Sequence, residues 1–171
     1  MRRSLGLVLL LVSMMPCLIP SGAEAKIKSD YNSFTNVRTS SSTYRDIGSF
    51  DFVVLTKNLP KEDKDTSYFL SFGVTSLTEW FFFSANGAFI KIDDGEFQHI
   101  PTLRTNKDYR PSRVYPTLNT STILDVSKVV DKLKDAQDVV IRVTFTNQPF
   151  VDYKVSEDQL IEWKKLISIE R

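Results

Sequence analysis

The chain has 171 residues, with 22 Lys and Arg against 21 Asp and Glu, a formal charge of +1, one His, one Cys and three Met. Residues 1–25 hold Cys17, all three Met, Arg2, Arg3 and Glu24, which leaves 20 basic and 20 acidic side chains and no sulfur in residues 26–171. Lacking Cys, and with His99 as its sole imidazole, that stretch excludes a thiol nucleophile, a Cys-ligated zinc or iron–sulfur site, a disulfide framework and a multi-histidine metal centre; no cofactor is expected.

Arg2 and Arg3 form a basic n-region, Leu5 to Ile19 is an apolar run short for a bilayer span, and Ala23-Glu24-Ala25 fits the small-x-small cleavage pattern. Export is expected, with cleavage after Ala25 and delivery to a bacterial periplasm, cell envelope or external medium, because small secreted eukaryotic domains ordinarily carry disulfides. Membrane contact is expected through this leader alone, during export. An uncleaved anchor is the weaker reading, since Pro16 and Pro20 interrupt the run. A lipoprotein anchored at Cys17 is the other alternative; Met14-Met15-Pro16 is a poor match to the small residues that such signals place before the cysteine.

Lys26 to Ser49 is polar and rich in Ser, Thr and Asn, which predicts a partly ordered lead-in with one edge strand near Phe34 to Thr39. Period-two alternation predicts a strand from Phe50 to Leu55. The charged loop Leu59 to Asp65 then leads to a second strand, with Tyr68, Leu70, Phe72 and Val74 on one face, and the two form a hairpin. Three meander strands are predicted around Asn86-Gly87 and Asp94-Gly95, dipeptides that tolerate the positive φ of tight hairpin turns. Trp80-Phe81-Phe82-Phe83 cannot all face one side of a sheet, so this run is either covered on both faces or leaves aromatic surface exposed. Pro101, Pro111 and Pro116 predict a long loop over Thr102 to Thr117, with a short strand near Arg113 to Leu118.

The spacing of Val126, Val129, Val130, Leu133 and Ala136 predicts a helix with one stripe on the sheet. Strands over Asp138 to Thr146 and Phe150 to Val155 follow, joined by Asn147-Gln148-Pro149. Ser156 and Gln159 then make a capping box, bracketed by Val155 and Leu160, that starts a C-terminal helix with Leu160, Ile161, Trp163, Leu166 and Ile167 as its buried stripe. Together these elements predict an α+β fold. Its mainly antiparallel, curved sheet has about six to eight strands covered by one or two helices, in one domain over residues 50–171.

Chemistry is sparse. His99 is the one group suited to proton transfer near neutral pH; no Gly-x-Ser-x-Gly elbow accompanies it, and a surface histidine explains it. Asp93, Asp94 and Glu96 lack the spacing of a calcium loop and read as turn residues. Asn119-Thr120-Ser121 is a glycosylation triplet that reads as an ordinary turn. Charge balance breaks in one place, between His99 and Thr117, where Arg104, Lys107, Arg110 and Arg113 oppose Asp108 alone and Tyr109 and Tyr115 are interleaved. Those four cations and two tyrosines are the candidate contacts for an anionic envelope polymer or a protein partner. Neutrality elsewhere speaks against nucleic acid.

The expected function is that of an exported, non-enzymatic binding or structural module for a protein or envelope polymer. Two other readings are a cell-wall glycan or ester hydrolase that uses carboxylates or His99, and an inhibitor or immunity partner of a secreted enzyme.

Overall fold

The computed structural model describes residues 27–61, 65–111 and 116–170; the leader, its cleavage motif and Cys17 lie outside the described residues. In chain order the strands are β1 (Ile27–Asn32), β2 (Val37–Ile47), β3 (Phe50–Pro60), β4 (Ser67–Ser76), β5 (Phe83–Ile92), β6 (Gln98–Ile100), β7 (Thr102–Arg110) and β8 (Thr117–Asp125). Helix α1 (Val130–Asp135), β9 (Val139–Phe145), β10 (Val151–Lys154) and helix α2 (Glu157–Ile167) complete the fold. All pairings are antiparallel, in a six-stranded sheet ordered β1-β2-β3-β4-β8-β7 and a four-stranded sheet ordered β10-β9-β5-β6.

Alternation sets the inner face of the larger sheet. Val53 and Leu55 of β3 pair with Phe72 and Leu70 of β4, Leu59 and Val74 extend the same face, and all are buried. Helix α2 packs over β2 and β3 and against α1, with Trp163, Leu166 and Ile167 turned inward. Beneath it lie the buried Ser40 and Ser42, small enough for the helix to approach the strand, and Tyr44, whose hydroxyl donates to the Asp158 carbonyl at 3.3 Å. Lys57, 4% exposed, donates from Nζ to the carbonyls of Ile167 (2.6 Å) and Ile169 (2.5 Å). This cation satisfies carbonyls that the end of α2 leaves without helical partners and sits at its negative pole. Burial, with Lys134 adding to it, pushes the Lys57 ammonium below its usual pKa.

The predicted hairpin of β3 and β4 is present, as are the strands around residues 139–145 and 151–154 and the C-terminal helix. A single sheet of six to eight strands is not: the ten strands of the described residues form two sheets, and the chain passes between them from β4 to β5, from β8 to β9 and, at Pro101, from β6 to β7. Proline has no N–H to donate, so a ladder breaks there and the chain turns from one sheet into the other. The polar lead-in is a full β1–β2 hairpin rather than one edge strand near Phe34, with β2 paired to β3 along almost its whole length. Among the described inward side chains of β2 only Tyr44 is apolar, while Ser40 and Ser42 are tucked under α2, so no apolar alternation marks the strand.

Asn86-Gly87 makes no hairpin. Strand β5 runs through it, with a shift in register between Phe83 and Ala88; Gly87 has φ +89° while Asn86 is not in the left-handed region, and a type I′ turn requires both to be. In the β5–β6 turn the positive φ (+52°) falls on Asp93. The predicted loop over Thr102 to Thr117 contains β7, paired with β8 from Thr102 to Arg110, and its prolines bracket the two strands instead of interrupting them. As an edge strand β7 is largely exposed on both faces, which removes the period-two signal. The helix expected from Val126 is confined to Val130–Asp135, although Val126, Val129, Val130, Leu133 and Ala136 are all buried as predicted. Ile161, expected in the stripe of α2, is 43% exposed. Half of the capping box forms: Ser156 Oγ accepts from the Gln159 N–H at 3.3 Å, whereas the Gln159 amide turns inward to accept from the Tyr153 hydroxyl. Asn119 lies on β8, not in a turn, and accepts from Thr75 Oγ1 at 2.8 Å.

Asp93 explains how the α1–β9 connection is held. Its Oδ1 accepts from the N–H groups of Gln137 (2.7 Å) and Asp138 (2.8 Å), and those donors hold its carboxyl below the ordinary value of 3.8. Asp152 is lowered in the same direction by its hydrogen bonds from Arg142. Because both folded-state values lie below the unfolded one, each carboxylate contributes stability above about pH 4 and loses it as the pH falls through the folded value. Asp93→Asn is therefore expected to flatten the acid limb of a urea-midpoint-versus-pH curve; an unchanged slope below about pH 4 would remove Asp93 from this role.

Candidate functional site

The structure divides the candidate basic segment. Register on β8 places Lys107 opposite the buried Thr120 and Arg104 opposite Ile123, so Lys107 and Tyr109 project from the inner face of β7 while Arg104 and Arg110 project from the outer one. Arg110 is engaged by Asp108, its Nε donating at 2.8 Å. Arg113 and Tyr115 lie outside the described residues.

Lys107 is the member that meets something new. Its Nζ sits 4.1 Å from the centroid of the Phe82 ring, and the Trp80 indole stacks on Phe82 at 6.4 Å with an interplanar angle of 18°. Cation and rings thus form a short ladder, of which Lys107 and Phe82 line a hollow of about 420 Å³ and Trp80 extends the stack from Phe82. Phe81, Phe83 and Thr146 line the hollow together with Thr105 and Lys107 of β7 and Thr120 of β8. The Thr120 hydroxyl is buried and has no hydrogen-bond partner, as is that of Thr122 two residues along the same face.

Residues 80–82 precede β5 and are held in place by the turn after β9. The Asn147 side chain donates to the Trp80 carbonyl (2.6 Å) and accepts from the Phe82 N–H (2.9 Å), while the Thr146 N–H donates to the Phe82 carbonyl (2.8 Å). Below them Phe81 and Phe83 pack on Phe145, at 5.9 and 4.9 Å. The aromatic run therefore splits: Phe83 is buried, Trp80, Phe81 and Phe82 are half-buried, and Phe81 to Phe83 line the hollow.

Comparison with protein-family models, with curated proteins and with solved structures finds no match to this chain. Its own geometry carries the functional argument. His99 donates from its Nε2 to the Asn86 carbonyl and packs edge-on against Phe89 at 5.6 Å, an arrangement that clamps the β5 bulge. Arg142 lies between Phe97 (4.4 Å) and Phe150 (4.1 Å) and donates twice to Asp152 at 2.8 Å; both faces of the guanidinium and its chelating donors are taken up within the smaller sheet. Among the described residues no three His, Cys, Asp or Glu side chains converge on a common point, and no helix is long and apolar enough to cross a membrane.

Sequence reasoning identified Lys107 and the aromatic run separately but not their meeting. The missing step was Asn147, a loop residue 65 positions from Phe82 whose side chain folds the run back toward β7.

Proposed function

We propose that this chain is an exported, non-catalytic binding module that holds a protein or anionic envelope polymer at the hollow between β7 and residues 81–85. The observation that carries this reading is the Lys107–Phe82–Trp80 ladder, whose first two members line the hollow. A flat aromatic surface attracts an apolar or ring-shaped group, the ammonium beside it favours a negative one, and the pair is held by hydrogen bonds that exist before any ligand arrives. The unpartnered Thr120 hydroxyl supports it. A buried polar group without a partner costs about 1–3 kcal/mol, and it stands at the wall of this hollow.

Retention of the purified protein on envelope material from the producing cell tests the proposal. Trp80→Ala and Lys107→Glu are each expected to reduce retention by about tenfold or more, with Lys107→Glu also losing its salt dependence. Neither side chain is fully buried, so the unfolding midpoint is expected to shift little. Wild-type protein that retains nothing, or variants that are retained equally well, would end this reading.

A further inference from the structure

The opposite edge of the larger sheet carries a second feature that the hollow does not explain. Phe34, at the tip of the β1–β2 hairpin, is 98% exposed, so folding gains nothing from its ring. A lone exposed apolar residue is ordinary on a protein surface, but this one stands on a turn held from several directions. Asn32 Oδ1 accepts from the N–H groups of Phe34 (3.0 Å) and Thr35 (3.3 Å), and Asn36 adopts φ +52°. Tyr31 donates its hydroxyl to Asn36 Oδ1 at 2.8 Å, and the Lys61 N–H at the end of β3 donates to the Asn36 carbonyl at 2.8 Å. The backbone entropy of presenting Phe34 is thus already spent in the free protein.

Beside this knob is a depression of about 400 Å³ lined by Tyr31, Asn36, Arg38, Leu59, Pro60 and Lys61. It lies on the inner sheet face, one register step beyond the Lys57 that closes the end of α2: Tyr31 pairs with Arg38, and Arg38 with Leu59. Its floor is apolar, its aromatic wall is half open to solvent, and its two charged lining residues are both cations.

We infer that the β1–β2 tip is a preformed docking element for a protein partner, one that offers an apolar socket to Phe34 and a carboxylate to Arg38 and Lys61. Rigid knob beside basic depression is a complementary shape for a folded surface, and a central aromatic anchor is where binding energy concentrates in protein interfaces. A lipid surface fits less well. One exposed phenylalanine inserts weakly, and stable anchoring to a bilayer needs more buried apolar area than a single ring supplies. The site is independent of the Phe82–Lys107 hollow: β1 and β7 are opposite edges of a six-stranded sheet, about 24 Å apart across five strand spacings.

The test places a photo-crosslinking phenylalanine analogue at position 34 of the full chain in the producing cell, with position 77 as an exposed control on another loop. One discrete protein adduct is expected from position 34 and not from 77, and Arg38→Glu or Lys61→Glu is expected to cut its yield by about tenfold. Phe34→Ser is expected to weaken binding of that purified partner by about thirtyfold and, because the ring touches nothing, to leave the unfolding midpoint unchanged. Any of four results overturns the inference: no adduct, equal adducts from both positions, an adduct that is a second copy of this chain, or Phe34-dependent pelleting with phosphatidylglycerol vesicles. Since Lys107→Glu leaves this site intact, adduct formation in that variant separates failure here from failure at the hollow.

Discussion

Trp163→Ala is expected to lower the unfolding free energy by about 3–5 kcal/mol, the range for truncating a large aromatic residue in a packed core. The indole is fully buried on α2, the helix that covers β2 and β3 and meets α1, so the cavity would open at the centre of the larger sheet's covered face. Few contacts are free to collapse into it. Tyr44 ties one end of α2 to β2 and Lys57 ties the other to β3, and the helix cannot sink toward the sheet without breaking one of them. Against a total stability of about 5–15 kcal/mol for a domain of this size, the loss is a large share. Trp163→Phe separates packing from hydrogen bonding. Indole Nε1 is buried without a partner, so phenylalanine loses ring volume but leaves no acceptor orphaned, and a cost of about 1–2 kcal/mol is expected. Urea midpoints for the two variants, at unchanged slope, provide the measurement. If Trp163→Ala costs less than about 1 kcal/mol, α2 is not the lid that its burial implies.

What was legible in the sequence follows from where apolar periodicity survives. Strands β3, β4 and β9 each have one face against the core, and their alternation located them; α2 announced itself through Ser156, the Leu160–Trp163 spacing and the final apolar turn. Strand β2 was hidden because two of its inward residues, Ser40 and Ser42, suit the space under a helix by size rather than by hydrophobicity, which leaves Tyr44 as the lone apolar member of that face among the described residues. Strand β7 was hidden because an edge strand has little to bury, and because prolines at 101, 111 and 116 resemble interruptions when they are boundaries. The site suffered from the same error. On a loop, Arg104, Lys107, Tyr109 and Arg110 would form one basic patch; on a strand, neighbours alternate between faces, and Lys107 is directed to the aromatic residues while Arg104 and Arg110 face away. The buried Lys57 had no signal at all. In sequence it is a charge within an apolar alternation, and its purpose appears only when the carbonyls of Ile167 and Ile169, 110 and 112 residues later, arrive above it.

Gly87→Ala is expected to cost about 2–4 kcal/mol and to weaken ligand retention at the hollow, because one residue provides both the bend in β5 and the room for it. Its φ of +89° is a conformation that side chains of L residues rarely adopt. A Cβ there would stand 2.1 Å from the Ile100 carbonyl oxygen, which is backbone of the neighbouring strand and has nowhere to retreat, and 2.9 Å from His99 Nε2. The bulge matters to the site through register. Phe83 pairs with Phe145 before it and Ala88 with Val143 after it, so the bulge absorbs the extra residues that place Phe81 to Ala85 beside β7. Relieving the clash by straightening β5 would move that wall, and with it the ring under Lys107. The Gly87 carbonyl, which accepts from Thr144 Oγ1 at 2.6 Å, would also lose its donor. His99→Ala is the matched control: it removes the clamp on the Asn86 carbonyl from an exposed position and leaves the glycine's backbone unaltered, so a loss of about 1 kcal/mol or less is expected, with retention preserved. Urea denaturation and envelope retention, measured on both variants, distinguish the two roles. Equal stability of Gly87→Ala and wild type would show that β5 tolerates a straight course and that the hollow does not depend on the bulge.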